Sequence, residues 1–439
     1  MRRPVRWIVG SLSTVAVLVG IAVWRAHSIA NETIARHLVT YQEALVRIRS
    51  TLRSRPALVG PEEPGDASAL VDDLHAALSS IPRADLSNLE EWDTDPSRAR
   101  DPGREREVLG RAQPALDAMD GIWRRALAGS PSPGLGPSGI GSGAGVPRLQ
   151  AVGKALSAAV RLARASGRIA ETLRLGSDLL LVGQDAAREG TLMGALVGAG
   201  IETLGSGALE RTLRETPVAA EVLERLAERL KALRETRPSI APAWTLARTH
   251  LEGTLSDDAL FGALPRGGPF VEGVSLRTFR SMYSTRIGRS NTLRSLELLP
   301  ETLPPELAAQ PDGAAAERTL AAHGCDTEDP VLSEWIRIWP VVLRKIRVRD
   351  THASVLELAV AIARFEVDHH AWPASESDLV PRYLSAIPTS PFDPNGLRFD
   401  GQTAWSRGPD GDDDGRRPLS APYEGVGDGD IVVQVKGHR

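Results

Sequence analysis

The sequence predicts a mainly α-helical chain with a transmembrane helix near its N-terminus, a large helical domain, and a small α+β domain towards its C-terminus. Three features predict it. Trp7 to Trp24 contains no charged residue across eighteen positions. From about residue 28 to 350, apolar residues recur at three- and four-residue steps, the spacing of one helix face. Beyond about residue 351 a helix at Val355–Val367 is followed by proline-rich turns and short strand candidates at Leu397–Phe399, Thr403–Ser406 and Ile431–Val435.

The apolar segment reads WIVGSLSTVAVLVGIAVW. As a helix it would measure roughly 27 Å, close to the hydrocarbon thickness of a bilayer. Tryptophans stand at both ends, where an aromatic belt places them. Arg2, Arg3 and Arg6 precede it, and Arg25 and His27 follow. The positive-inside rule then puts the N-terminus in the cytoplasm and the body outside it. A cleaved signal peptide is the rival reading. Its apolar region would be unusually long, and Trp24 and Arg25 stand where small residues should precede a cut. The expectation is an uncleaved anchor that meets the lipid bilayer through Trp7–Trp24.

The chain divides on composition into a tip and anchor (1–27), a helical membrane-proximal region (28–128), a Gly/Pro/Ser-rich linker or loop (129–147), a helical domain (148–350) and an α+β domain (351–439). In the first helical region Ile34, Leu38, Tyr41, Leu45, Ile48 and Leu52 fall on one face. Further helical patterns cover about 67–80 and 104–128. In the larger domain one stripe joins Leu156, Val160, Ala163, Gly167, Ala170 and Leu173. Val218–Thr236 is a second amphipathic stretch, and Trp335, Trp339, Val342 and Leu343 suggest another core-facing helix. Gly190, Gly194 and Gly198 are spaced four apart in GTLMGALVGAG, which permits close helix contact. Glu189 and Glu202 bracket too few uncharged residues to span a membrane, so a buried, glycine-faced helix in a bundle is expected. Strand-like alternation is almost absent before residue 395.

Composition excludes some functions. A formal net charge of −4 gives no electrostatic case for nucleic-acid binding. A single cysteine, Cys325, rules out an internal disulfide and a cysteine-built zinc site, and a small apolar site is expected there. No G-x-S-x-G elbow, H-E-x-x-H or phosphate-loop lysine motif occurs. Gly139–Gly145 has the glycines of a nucleotide loop but no strand before it. His369 and His370 are adjacent on a helix end and point about a third of a turn apart, so they do not chelate as an i,i+4 pair does. No catalytic residue is expected.

The acidic run Asp410-Gly411-Asp412-Asp413-Asp414-Gly415 has the most chemical content. Aspartates at alternate positions on a tight turn can converge on one hard cation. An EF-hand would need glutamate at loop position twelve, which is Ala421. A solvated acidic turn and a calcium loop both stay open on these residues alone.

Four pieces of the last domain occur in a recognisable order. They are Ala363–Pro373 (ARFEVDHHAWP) with Leu379, then Tyr383–Pro388 (YLSAIP) with Pro391–Phe399 (PFDPNGLRF), then Trp405–Gly411 (WSRGPDG), and last Asp428–Val433 (DGDIVV). Together they make residues 352–439 resemble the globular domain of the type II secretion major pseudopilin. The resemblance implies a helix followed by a small sheet. It also implies a single calcium shared by the 410–414 loop and the terminal segment, with Asp410, Asp412, Asp414, Asp428 and Asp430 as candidate ligands. It places the protein in a bacterial inner membrane, body periplasmic, beside a type II secretion or pilus-like system. The chain departs from that family at the anchor. After Gly10 the fifth residue is Val15 where an acid is expected, so prepilin-type processing is not expected.

The reading is a non-catalytic envelope protein of structural or interaction role, with protein partners in the envelope or secretion apparatus. An envelope hydrolase with an unrecognised site in the helical domain, and a sensory ectodomain, are the alternatives. A reporter that works only in the periplasm, fused after His438, is expected to be active, with nearly full-length protein in the inner-membrane fraction. A soluble form beginning near residue 27 would replace the anchor with a signal peptide.

Overall fold

The computed structural model describes residues 22–40, 42–43, 145–188, 190–258, 269–271, 274–275, 285–301, 313–322, 329–393, 395–419 and 428–438, with isolated positions between them. Most of the Trp7–Trp24 anchor, the helical patterns at 67–80 and 104–128, the Gly139–Gly145 glycines (Gly145 apart) and Cys325 lie outside the described residues.

The described chain is mainly helical. Its helices are α1 (22–40), α2 (Gly145–Ala165), α3 (Ile169–Arg188), α4 (Leu192–Glu215), α5 (Ala220–Glu235), α6 (Ala241–Ser256), α7 (Arg286–Glu297), α8 (Gly313–Ala322), α9 (Pro330–His369) and the single turn α10 (Glu376–Leu379). Strands β1 (Pro269–Val271) and β2 (Val274–Ser275) form an antiparallel pair. The sequence reading missed this pair because five residues are too few to show an alternation. Strands β3 (Arg398–Asp400), β4 (Thr403–Ser406) and β5 (Ile431–Gln434) form an antiparallel sheet in the order β3-β4-β5.

Two compact units cut across the linear segments read from the sequence. One takes Met1–Ser50 and Trp244–Val341; the other takes Thr51–Ala243 and Val342–Arg439. The long helix α9 contributes to both. Trp335–Leu343 and Val355–Val367, read as separate helices, are parts of it. Pro340 stands inside it, at the loss of one backbone hydrogen bond.

In the first unit, α1 buries Ala30, Thr33, Ile34 and His37, which are i, i+3, i+4 and i+7 on one face. Its opening turns expose Val23, Trp24 and Ile29. His37 lies between two carboxylates, with Nδ1 2.5 Å from Glu252 on α6 and Nε2 3.1 Å from Glu297 on α7. Trp244, Trp335 and Trp339 meet with ring centroids 4.7, 5.0 and 5.7 Å apart, within the range in which aromatic pairs attract. The Trp244 indole N–H donates to the Pro300 carbonyl.

The second unit is built on the α3–α4 hairpin. Gly183 faces Gly198, and a methyl group on Gly198 would lie 2.3 Å from the Gly183 carbonyl oxygen. Gly194 against Ala186 and Gly205 against Gly176 repeat the arrangement above and below. The expected glycine-faced helix is therefore present, although Gly190 is not on it. That residue sits in the turn before α4, at φ +67°. Among the described residues, α4 alone is long and apolar enough to cross a membrane, with mean hydropathy 1.3, and half of that stretch is buried here. Gly167 corrects the single stripe read across 156–173. At φ +71° it ends α2 and turns the chain into α3.

Glu202 projects from α4 across Gly183 and is buried. It lies 3.2 Å from Arg349 on α9 and 3.3 Å from Arg237. Burial works against the Arg349 charge, but Glu202 and Asp350 outweigh it and hold the guanidinium above its usual range. α5 buries Leu223, Leu226, Leu230 and Leu233, as its pattern predicts. The core then continues through Leu356, Val360 and Ala363 of α9 into Leu379, Tyr383, Ala404 and Ile431. Residues 352–439 thus share one core with α2–α5.

The glycine contact is testable by a matched pair. Gly198→Ala is expected to destabilise by about 1–3 kcal/mol, because a backbone must move to admit the methyl group. Gly200→Ala on the same helix meets nothing within 4 Å and is expected to stabilise by about 0.5–1 kcal/mol. Denaturant titration of the two variants checks both signs.

Candidate metal centre

The sheet positions the acidic loop. β4 pairs with β5 in the register Trp405↔Val432 and Ser406↔Ile431. The chain leaving β4 and the chain entering β5 therefore lie side by side, and they carry Asp410–Asp414 and Asp428. Their approach is unusually close at Gly408, where a Cβ would lie 1.9 Å from the Gly429 carbonyl oxygen. The amide of Gly429 donates to Asp410 at 3.1 Å.

One carboxylate oxygen from each of Asp410, Asp412, Asp414 and Asp428 lies within 4.8 Å of the other three. A calcium ion with ligands at about 2.4 Å accommodates oxygens up to about 4.8 Å apart, on opposite sides of the ion. The donor set is hard oxygen throughout, which suits calcium over zinc. Asp414 Oδ2 is a buried atom with no hydrogen-bond partner. The residues present therefore fit such an ion.

Asp430, the fifth residue read as a ligand, does not belong to this set. Residues two apart on a regular strand share a face. Gly429, at φ +129°, breaks that alternation and separates Asp428 from Asp430. Asp428 is 66% exposed, whereas Asp430 is fully buried. The Arg416 amide donates to Asp430 Oδ2 at 2.8 Å, and Oδ1 has no hydrogen-bond partner. Asp430 also anchors the loop through its backbone, donating to the Arg417 carbonyl and accepting from the Leu419 amide.

The cluster is electrostatically strained. The neighbouring carboxylate of Asp410, with the charge of Asp414, pushes the Asp412 carboxyl above the usual range. Burial raises that of Asp430, against the amides that bind it. Two residues outside the sequence reading offset the charge. Arg417 bridges Asp414 at 2.7 Å and Asp428 at 2.5 Å, and these contacts hold its guanidinium above its usual range. Arg398 joins Asp413 to the buried Asp393. Neither arginine follows a spacing that could have singled it out.

The paired histidines lie at the C-terminal end of α9. His370, at φ +50°, closes α9 by donating its amide to Glu366, and His369 stacks on Phe365 with centroids 4.3 Å apart. Trp405 is 8% exposed and lies beneath the Arg416 guanidinium, 4.3 Å from the ring centre. The comparisons with known proteins find no matching family model, curated protein or solved structure.

Trp405→Ala is expected to cost about 3–5 kcal/mol, read by denaturant unfolding of the full chain. A cost near zero would mean that the ring does not support the loop that carries the acids.

Proposed function

We propose that this is a non-catalytic envelope protein. In this reading an N-terminal anchor holds a helical scaffold outside the cytoplasm, and the scaffold presents a calcium-stapled, pseudopilin-like C-terminal module to protein partners of a secretion or pilus-like system. The observation that carries the reading is the pairing of β5 beside β4, which brings Asp428 onto the Asp410–Asp414 loop. That juxtaposition is what the resemblance implies.

Asp410, Asp412, Asp414 and Asp428 hold the ion in this proposal. Calcium supplies a divalent charge and flexible oxygen coordination there. Asp430 acts from behind, fixing Arg416 and Arg417 and so the end of the loop. Arg417 provides the countercharge to Asp414 and Asp428 when no ion is bound.

The pH dependence has a definite sign. The raised carboxyls of Asp412 and Asp430 favour the folded state while protonated, and that contribution is lost as pH rises through their folded range. Calcium binds the ionised ligands, so its stabilising effect grows over the same interval. Detergent-solubilised full-length protein is expected to melt higher in millimolar calcium than in chelator at neutral pH. The stabilisation is about 2.7 kcal/mol at a hundred times Kd, and the difference should shrink towards pH 4. Asp412→Asn with Asp428→Asn should remove it. Mild-detergent capture with mass spectrometry should recover envelope partners in calcium and lose them with that double variant. Recovery indifferent to both would refute the role given to the module.

A further inference from the structure

A groove of about 530 Å³ lies between α3 and α5. Its walls come from one face of each helix, including Leu173 and Arg174 on α3, and Val222, Arg225, Leu226 and Arg229 on α5. On both helices the lining residues follow the i, i+3, i+4, i+7 spacing of a single face. Its volume falls within the roughly 300–1,000 Å³ of small-ligand sites.

The charges are arranged unevenly. Asp178 is buried beneath the groove and binds two guanidiniums, those of Arg174 at 3.0 Å and Arg229. One carboxylate thus orients two arginines. Glu171, the acid in the lining, is held by Arg168 at 2.5 Å. Arg225 is exposed and makes no ion pair among the described residues, although Glu221 stands four residues before it. It stands four residues before Arg229, and like charges at that spacing repel. A buried acid that fixes Arg174 and Arg229, an exposed Arg225 beside them that forms no ion pair among the described residues, and leucines beneath them favour one kind of ligand. It has an anionic head whose oxygens a guanidinium fork can grip, and an apolar body.

We propose that the α3–α5 groove is a binding site for such a ligand, a phosphate or carboxylate head bearing an apolar substituent. Arg225 and Arg229 grip the head and Asp178 positions Arg229. This site is independent of the acidic loop and of calcium.

The test is calorimetric titration of the full chain in a neutral detergent with inorganic phosphate, butyl phosphate and butanol. Butyl phosphate is expected to bind more tightly than phosphate, and butanol not to bind. Arg225→Ala removes an exposed side chain and should leave the melting temperature unchanged while weakening butyl phosphate about tenfold, the usual scale for a charge-assisted hydrogen bond. Arg225→Lys should fall between, since an ammonium cannot make the fork. Equal affinities for phosphate and butyl phosphate, both weakened by Arg225→Ala, would support the anion site and identify free phosphate as its source. Absence of binding, or binding that Arg225→Ala leaves unchanged, would overturn the proposal.

Discussion

The contact between Gly183 and Gly198 is the constraint on which the second unit rests. With no side chain on either residue, α3 and α4 approach until backbone touches backbone. The same absence of a side chain opens a path for Glu202, which crosses Gly183 to reach Arg349 and Arg237. A close helix contact and a buried ion network are therefore one feature. Burying Glu202 would be costly in isolation, because a desolvated charge must recover its hydration from partners. Two arginines supply that recovery, and Asp350 balances them. The network joins α4 to α9, and α9 carries the core onward to the sheet. The position of the acidic loop thus depends, through rigid intermediates, on two glycines far from it in sequence.

Much of this was legible in the residues. The leucine spacing of α5 and the four-residue glycine spacing of α4 each correspond to a physical face, so both could be read directly. The three strands towards the C-terminus were legible because they stand between turn residues. What failed to show has specific causes. Gly167 fits a small-residue stripe as well as a turn, and only its left-handed backbone distinguishes them. The length of α9 was hidden by Pro340 and by the polar stretch Arg344–Thr351, in which Arg349 meets Glu202 and Asp350 meets Arg237. Local sequence carries no record of such partners.

The acidic site divides in the same way. Alternate aspartates announced a loop able to gather oxygens, and the pairing of β5 with β4 brings Asp428 to it. The inward turn of Asp430 was not legible, since period-two reasoning places it beside Asp428 and only the Gly429 conformation separates them. Arg417 was equally hidden in a chain where arginine supplies nearly all the positive charge. A lone arginine in such a composition reads as background until its contacts are known.

The C-terminal tail ties distant parts of the chain together. Lys436 donates its amide to Leu213 and its ammonium to Glu215 at the end of α4, and His438 binds the buried Glu366. Each compact unit is also drawn from two stretches of chain, with the second interrupting the first. During synthesis, neither core can close when its first helices emerge. The α2–α5 helices must wait, with their apolar faces uncovered, until α9 and the final strand have been made. Such an order exposes incomplete cores to aggregation. The first unit gains its last stretch by Val341, whereas the second waits for the final strand.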